Sequence, residues 1–245
     1  MNASQQASLG PLIVIPAFNE ELALPAVLAA LRAALPEWDV LVVDDCSTDA
    51  TATVAKAENV AVARLPTHLG IGAALRTGFE YAVRAGYECV VQFDADGQHE
   101  ASEIPSLVQA INEGADLVVG TRFFPESSYK VGHFRRVAMR VLSYLLYLRT
   151  GRRFSDTSSG FRAFSSRAIR YFAASYPADF MESVESLLMA LLSGLEAVEV
   201  PARMHDRSEG TSSQSRLKLI YHYVRVLVLI ATLYSKGNRK HVLSP

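Results

Sequence analysis

The chain is poor in cysteine: Cys46 and Cys89 are its only two in 245 residues, and Cys89 falls inside an apolar stretch that reads as a buried strand. A disulfide framework is excluded. It also lacks a run that could cross a bilayer. The apolar segment Leu217 to Tyr234 is broken by Lys218, His222 and Arg225, and its longest uncharged piece, Val226 to Ser235, has ten residues. A spanning helix needs about 20 apolar residues. Met1 to Gly10 has neither a basic n-region nor an apolar h-region, so export is not expected and the chain is placed on the cytoplasmic side. A third glycine is missing from His68-Leu-Gly70-Ile-Gly72: Leu75 stands where a dinucleotide fingerprint would need it, which excludes a hydride-transfer enzyme. No recognisable nucleic-acid motif and no aromatic stacking platform occur, so nucleic acid is set aside as a partner.

What is present begins with charge. The net charge of -1 conceals two unlike halves: residues 1–126 hold 6 Lys and Arg against 17 Asp and Glu, and residues 127–245 hold 18 against 8. One half suits metal ions and the other suits anions, phosphates or anionic lipid headgroups among them. Length and a hydrophobic content of 50% allow one large α/β domain with or without a helical appendage.

In the first half, strand and helix alternate. Leu12–Ile15, Val40–Val43, Val60–Val62, Val90–Val91 and Leu117–Val119 are short apolar runs ending at Pro, Asp or Gly, each a candidate buried parallel strand. Helical stretches are expected near Glu21–Leu35, Ala50–Ala57, Ala73–Ala85 and Ile104–Asn112, the second capped by Thr48 or Asp49 and the third ended by Gly86. This alternation predicts a doubly wound, mostly parallel sheet flanked by helices.

The ends of those strands carry the polar chemistry. Pro16-Ala-Phe18-Asn-Glu20 follows the first, Asp44-Asp45-Cys-Ser47-Thr-Asp49 the second, and Asp94-Ala95-Asp96-Gly-Gln98-His99 a later one. Carboxyl ends of parallel strands meet at one crevice, so the three clusters are expected to converge. Oxygen donors at i, i+2 and i+4 in Asp94, Asp96 and Gln98 suit magnesium or manganese, although a solvated Asp-Gly turn has the same sequence. The glycines of His68–Gly72 would let a loop and helix start approach a nucleobase or phosphate, or simply form a helix-entry turn.

Taken together, Pro16-Ala-Phe18-Asn-Glu20, Val43-Asp44-Asp45-x-Ser47-Thr-Asp49, Gly70-x-Gly72-x-Ala74-x-x-x-Gly78, Asp94-Ala-Asp96-Gly-Gln98-His99, Gly120-Thr-Arg122 and Ser159-Gly160-Phe161-Arg162 resemble the successive motifs of family 2 glycosyltransferases. The subgroup they are most similar to comprises the dolichyl-phosphate mannose synthases and their bacterial polyprenyl-phosphate relatives. The resemblance implies a GT-A fold over residues 11–212, inversion at the anomeric carbon and Mg2+ or Mn2+ as cofactor. It puts Pro16, Phe18 and Glu20 in the nucleotide pocket, Val43 and Asp45 at the base or ribose, and Gly70, Gly72 and Ala95 among the donor-binding residues. Asp94, Asp96 and Gln98 become the metal set, with Asp96 and Arg122 at the reacting centre. Arg207-Ser-Glu-Gly-Thr-Ser-Ser213 is similar to the loop that closes over donor phosphates in this subgroup, with Ser213 where that loop carries lysine. Glu185, on an expected helix Glu182–Leu192, matches an acid on the acceptor side or is a solvated helix residue.

The second half suggests where the acceptor lives. Residues 127–155 contain seven Lys and Arg and no acid around the apolar run Val137–Leu148. Lys218, His222 and Arg225 share one helix face. Residues 1–10 are expected to be a flexible start, and 213–245 an amphipathic helix and tail. Basic apolar helices lying in the membrane interface would bring the enzyme to a polyprenyl phosphate acceptor, with packing on the domain or self-association as the alternative. A phosphate acceptor is already anionic, so no strong base is needed, consistent with the lack of a Ser-His-Asp arrangement. Similarity to short actinobacterial members, which include a polyprenyl-phospho-N-acetylgalactosaminyl synthase, favours UDP-N-acetylgalactosamine over UDP-glucose and GDP-mannose. A sugar-phosphate nucleotidyltransferase would need a Gly-rich, Arg-containing loop where Pro16–Glu20 stands, and a non-catalytic nucleotide-sugar-binding subunit would be expected to lose the metal ligands. A homo-oligomer and a small membrane-protein partner remain open.

Overall fold

The structure, a computed structural model, describes residues 9–124, 133–177 and 182–204. In chain order the elements are β1 (Leu12–Ala17), α1 (Leu24–Ala34), β2 (Asp39–Asp44), α2 (Thr51–Ala57), β3 (Ala61–Arg64), α3 (Ile71–Ala85), β4 (Cys89–Gln92), α4 (Ile104–Asn112) and β5 (Leu117–Thr121). Then follow α5 (His133–Thr150), β6 (Arg162–Ser165), α6 (Ser166–Ser175), α7 (Glu182–Leu192) and β7 (Ala197–Pro201). The strands form one seven-stranded sheet in the order β3-β2-β1-β4-β6-β5-β7. All neighbours pair in parallel except β6, which runs antiparallel between β4 and β5.

Alternation along each strand splits the core into two apolar layers. Leu12, Val14, Leu41, Val43, Val90, Leu117 and Phe164 pack beneath α3, α5, α6 and α7. Ile13, Ile15, Val42, Val91, Val118 and Ala163 pack beneath α1 and α4. Both faces of the sheet are therefore covered, which is why the strands read as continuous apolar runs. Helix α3 lies close on β1 because Gly78 faces it: a Cβ there would come 2.5 Å from Val14 Cγ1.

Local chemistry sets the element ends. The first helix starts at Leu24, later than the expected Glu21, because Pro25 fits only the first turn. Asp49 accepts a hydrogen bond from Thr51 N–H at 2.9 Å, which secures the start of α2. Gly86, at φ 86°, closes α3 in the left-handed conformation. The first strand runs through Pro16, where the sequence suggested it would stop. Val14 O receives Phe93 N–H from the β4 side and Ala17 O receives Asp45 N–H from the β2 side, so Pro16 faces β4 beyond the Val14–Gln92 pair, where no ladder bond is required.

Candidate active site

Strands β1, β2 and β4 end at the same edge, and the polar segments that follow them meet there. The first two bind each other. Asn19, at φ 55°, donates its N–H to Ser47 Oγ at 3.0 Å and accepts Thr48 N–H on its amide oxygen at 2.9 Å. Glu20 N–H reaches Thr51 Oγ1 at 2.9 Å, and Glu21 N–H reaches Asp49 Oδ2 at 3.1 Å. Burial opposes the charge on Asp49, but the hydrogen bonds from Thr51 and Glu21 outweigh it and hold its carboxyl below the usual range. Asp44 accepts Ser47 N–H at 3.0 Å and pairs with Arg64 at 3.1 Å.

Asp45 fixes the next loop. Its carboxylate accepts the N–H groups of Leu69 at 2.8 Å and Gly70 at 2.7 Å, and His68 Nδ1 lies 2.9 Å from Oδ2. Gly70, at φ 91°, then starts α3, and Gly72 is buried in its first turn. His68 stacks on Phe18 with ring centroids 4.0 Å apart, and Phe18 stays 40% exposed. An aromatic face at the lip and a carboxylate below it thus stand beside the end of β2. The side chains of Val43 and Ala95, both expected near the donor, are buried in the apolar layers just below the edge.

The turn after β4 has a different character. Asp96 accepts Gln98 N–H at 3.1 Å across Gly97, whose φ is 73°. That bond turns the chain so that Asp94 and Gln98 line one pocket of about 130 Å³ together with His99, Arg122, Ser158, Ser159, Gly160 and Met204. Asp96 shares the turn without lining this pocket. Gly160 faces Asp94 across β4 and β6, where a Cβ would lie 2.6 Å from Asp94 Oδ2. His99 is buried between Phe93 and Phe161, with ring centroids 5.4 and 4.9 Å away. Burial pushes its pKa down to about 4, against the pull of Asp96 and with the push of Arg122. The ring is therefore neutral near pH 7, and its 3.5 Å approach to Asp94 is a polar contact without ionic character.

Arg122 reaches the pocket from the end of β5. Asp156, fully buried, holds it in a two-point pair, with Nε to Oδ2 at 2.7 Å and Nη2 to Oδ1 at 2.9 Å. The Asp156 and Ser155 N–H groups in turn donate to Glu199 on β7 at 2.7 to 2.8 Å. Burial raises the Glu199 pKa while those N–H groups pull it back. The Gly120-Thr-Arg122 motif also acquires a physical reason, because a Cβ at Gly120 would come 2.7 Å from Phe161 Cδ1. Asp156 and Gly160 carry as much of this geometry as the expected residues do. Sequence reasoning passed over Asp156, a single acid in a Ser-rich connector, whose only signal was its nearness to Ser159-Gly160-Phe161-Arg162.

One edge of the sheet thus carries a pocket lined by Asp94, Gln98 and the Asp156-held Arg122, with the Phe18 ring exposed beside it. Residues 12–174 fit the family described as "Glycosyl transferase family 2". The chain belongs to that family. As a family 2 glycosyltransferase it is 30% identical over 214 residues to the polyprenol monophosphomannose synthase of Mycolicibacterium smegmatis, covering 83% of this chain and 80% of that protein. It is 34% identical over 219 residues to the undecaprenyl-phosphate mannosyltransferase of Micrococcus luteus, covering 83% and 87%. Among solved structures it is similar to glucosyl-3-phosphoglycerate synthase from Mycobacterium tuberculosis in complex with Mn2+, UDP-glucose and phosphoglyceric acid, at a TM-score of 0.69 and 20% identity over 98% of this chain and 84% of that one. That likeness establishes the fold.

Two other expectations divide. Glu185 is buried on α7, against the reading of it as a solvated helix residue, and it stands outside the Asp94 pocket. Arg207, Ser213, Lys218, His222 and Arg225 lie outside the described residues.

Proposed function

We propose that this glycosyltransferase moves a sugar from a nucleoside-diphosphate donor to the phosphate of a polyprenyl phosphate at the cytoplasmic face of a membrane. The observation that carries the reading is the pocket where Asp94 and Gln98 face the Asp156-anchored Arg122. For the acceptor, support comes from the two mannosyltransferases above, both named for polyprenol or undecaprenyl-phosphate products or substrates.

The donor chemistry suits a divalent metal, although among the described residues no group of three His, Cys, Asp or Glu is assembled around one point and Asp96 stands beside the pocket that Asp94 and Gln98 line. Asp94, Asp96 and Gln98 offer the oxygen donors that Mg2+ and Mn2+ prefer, and glycine at 160 leaves space over Asp94 that a side chain would fill. Bound by these residues, the ion would act as a Lewis acid on the donor diphosphate. Arg122 adds a positive charge whose position is fixed before substrate arrives, an arrangement that stabilises charge developing on phosphate oxygens. Pro16, Phe18, Glu20 and Asp45 border the donor nucleotide in this reading, Arg207 contacts its phosphates, and Glu185 is an acid on the acceptor side. An oxygen of the acceptor phosphate bonds to the anomeric carbon as the bond from that carbon to the diphosphate oxygen breaks. The nucleoside diphosphate leaves with the electron pair, the configuration inverts, and no proton need be removed from the nucleophile.

Helix α5 supports the membrane location. Val141, Tyr144 and Leu148 are 43, 59 and 57% exposed on one face, next to exposed Arg140. Each basic residue near an anionic surface contributes about 1 kcal/mol of attraction. Among the described residues no helix is long and apolar enough to cross a membrane.

For the donor, UDP-N-acetylgalactosamine is the first reading. The mannose named for both relatives favours a mannose donor as the second. Incubation with polyprenyl phosphate, Mn2+ and each radiolabelled nucleotide sugar should give an organic-extractable, acid-labile product with one of them; no product from any donor would sink the acceptor assignment. Activity of the purified chain alone would remove the need for a membrane-protein partner. Asp96→Ala should abolish turnover while the circular dichroism spectrum is retained, and a fully active variant would take Asp96 out of the metal set.

A further inference from the structure

A cavity of about 420 Å³ lies far from the Asp94 pocket. Leu12, Asp39 and Ala61, the first residues of β1, β2 and β3, all line it, so it occupies the opposite edge of the sheet. A six-residue strand separates the two edges by roughly 17 Å.

Its lining combines aromatic rings with an excess of negative charge. Trp38, Tyr81 and Tyr87 contribute rings, and those of Tyr81 and Tyr87 stack with centroids 6.3 Å apart at 27°. The charged lining residues are Arg32, Asp39 and Glu58. Arg32 is committed to Glu58, with Nη1 to Oε2 at 3.0 Å and Nη2 to the backbone oxygen at 2.5 Å. Asp39 accepts the Tyr87 hydroxyl at 2.8 Å and, among the described residues, is paired with no cation. The cavity thus presents one carboxylate without a counter-charge beside three electron-rich rings and an apolar floor from Leu28, Leu31 and Leu35.

We propose that this cavity is a second ligand site, separate from the donor and acceptor sites, and that it takes a small alkylammonium cation. Aromatic faces attract such cations through the ring quadrupole, and the carboxylate adds Coulombic attraction. The volume suits a small organic molecule. The excess negative charge disfavours phosphates and nucleotides, which sets this cavity apart from the pocket at the other edge.

Trp38 is the only tryptophan in the chain, so intrinsic emission reports on this cavity directly. Titrating the full-length protein with choline should shift that emission saturably, whereas the neutral carbon isostere of choline should bind about tenfold more weakly and inorganic phosphate should leave the signal unchanged. Tyr81→Ala and Asp39→Asn, both at exposed positions, should each lower choline affinity about fivefold with the circular dichroism spectrum retained. The proposal is overturned by the absence of a saturable response to choline, by an equal response to the neutral isostere, or by unchanged affinity in both variants.

Discussion

One sheet edge carries two polar sectors that look alike in sequence and differ in what their side chains do. In the sector of β1 and β2, Asn19, Asp44, Ser47, Asp49 and Thr51 hydrogen-bond one another or neighbouring backbone, and Asp45 ties down the loop that starts α3. In the sector of β4, β5 and β6, Asp94, Gln98 and Arg122 face a shared pocket. A polar cluster at a strand end can therefore build the rim of a site or furnish its interior. The first sector uses its hydrogen-bonding capacity to set shape; the second keeps side chains directed into a shared pocket.

If the second sector is organised by charge, its most sensitive point is Asp156. Removing the carboxylate leaves the nearly buried Arg122 guanidinium without its two-point partner, and breaking such a pair costs about 3–5 kcal/mol. Asp156→Ala should lower the denaturation midpoint accordingly and reduce turnover, because Arg122 is no longer held at the pocket. Unchanged stability in urea would mean that this sector is held by packing, and the contrast with the first sector would lose its electrostatic basis.

A smaller change tests whether Asp94 belongs to the reacting site. In Gly160→Ala the new methyl overlaps Asp94 Oδ2 at 2.6 Å, so the carboxylate must move. Displacement on the order of 1 Å at a reacting centre costs about 100-fold in rate. The expected loss is chiefly in kcat, with a smaller change in donor KM, because the rim sector that borders the nucleotide is untouched. Wild-type kcat would place the chemistry elsewhere on the edge.

The two sectors also differ in how far they could be read in advance. Strands β1, β2, β4 and β5 were legible because burial on both faces writes short apolar runs, whereas the edge strand β3 is partly exposed and showed only the short run Val60–Val62; α4 and α7 coincide with their expected limits at Ile104–Asn112 and Glu182–Leu192. Strands β6 and β7 were not. Arg162 begins β6 and Glu199 sits inside β7, so neither segment shows an uninterrupted apolar run, and an antiparallel strand inserted between β4 and β5 leaves no local sign. That insertion brings Gly160 to Asp94 and Asp156 to Arg122. The rim was legible because its residues are close in sequence to the strands they follow; the pocket was only half legible because its other wall arrives from far along the chain, Gly160 facing Asp94 from 66 residues on and Met204 facing His99 from 105.

The smallest effect is expected in the rim itself. Asp45 accepts two backbone N–H groups and approaches His68, and its carboxylate is almost fully buried. Asp45→Asn keeps one carbonyl acceptor but presents an amide N–H group to a neighbouring donor, so roughly one hydrogen bond is lost, at about 1–2 kcal/mol. Since Leu69 and Gly70 set where α3 begins, and His68 carries the ring stacked on Phe18, the loosened loop should raise the KM for the nucleotide sugar several-fold. The kcat should stay near wild type because Asp94 and Arg122 are not touched. Donor-saturation kinetics alongside thermal denaturation separate the outcomes. A KM increase at unchanged kcat is what a shape-giving rim predicts, whereas a collapse of kcat would show that Asp45 acts on the reacting atoms and that the two sectors are not functionally distinct.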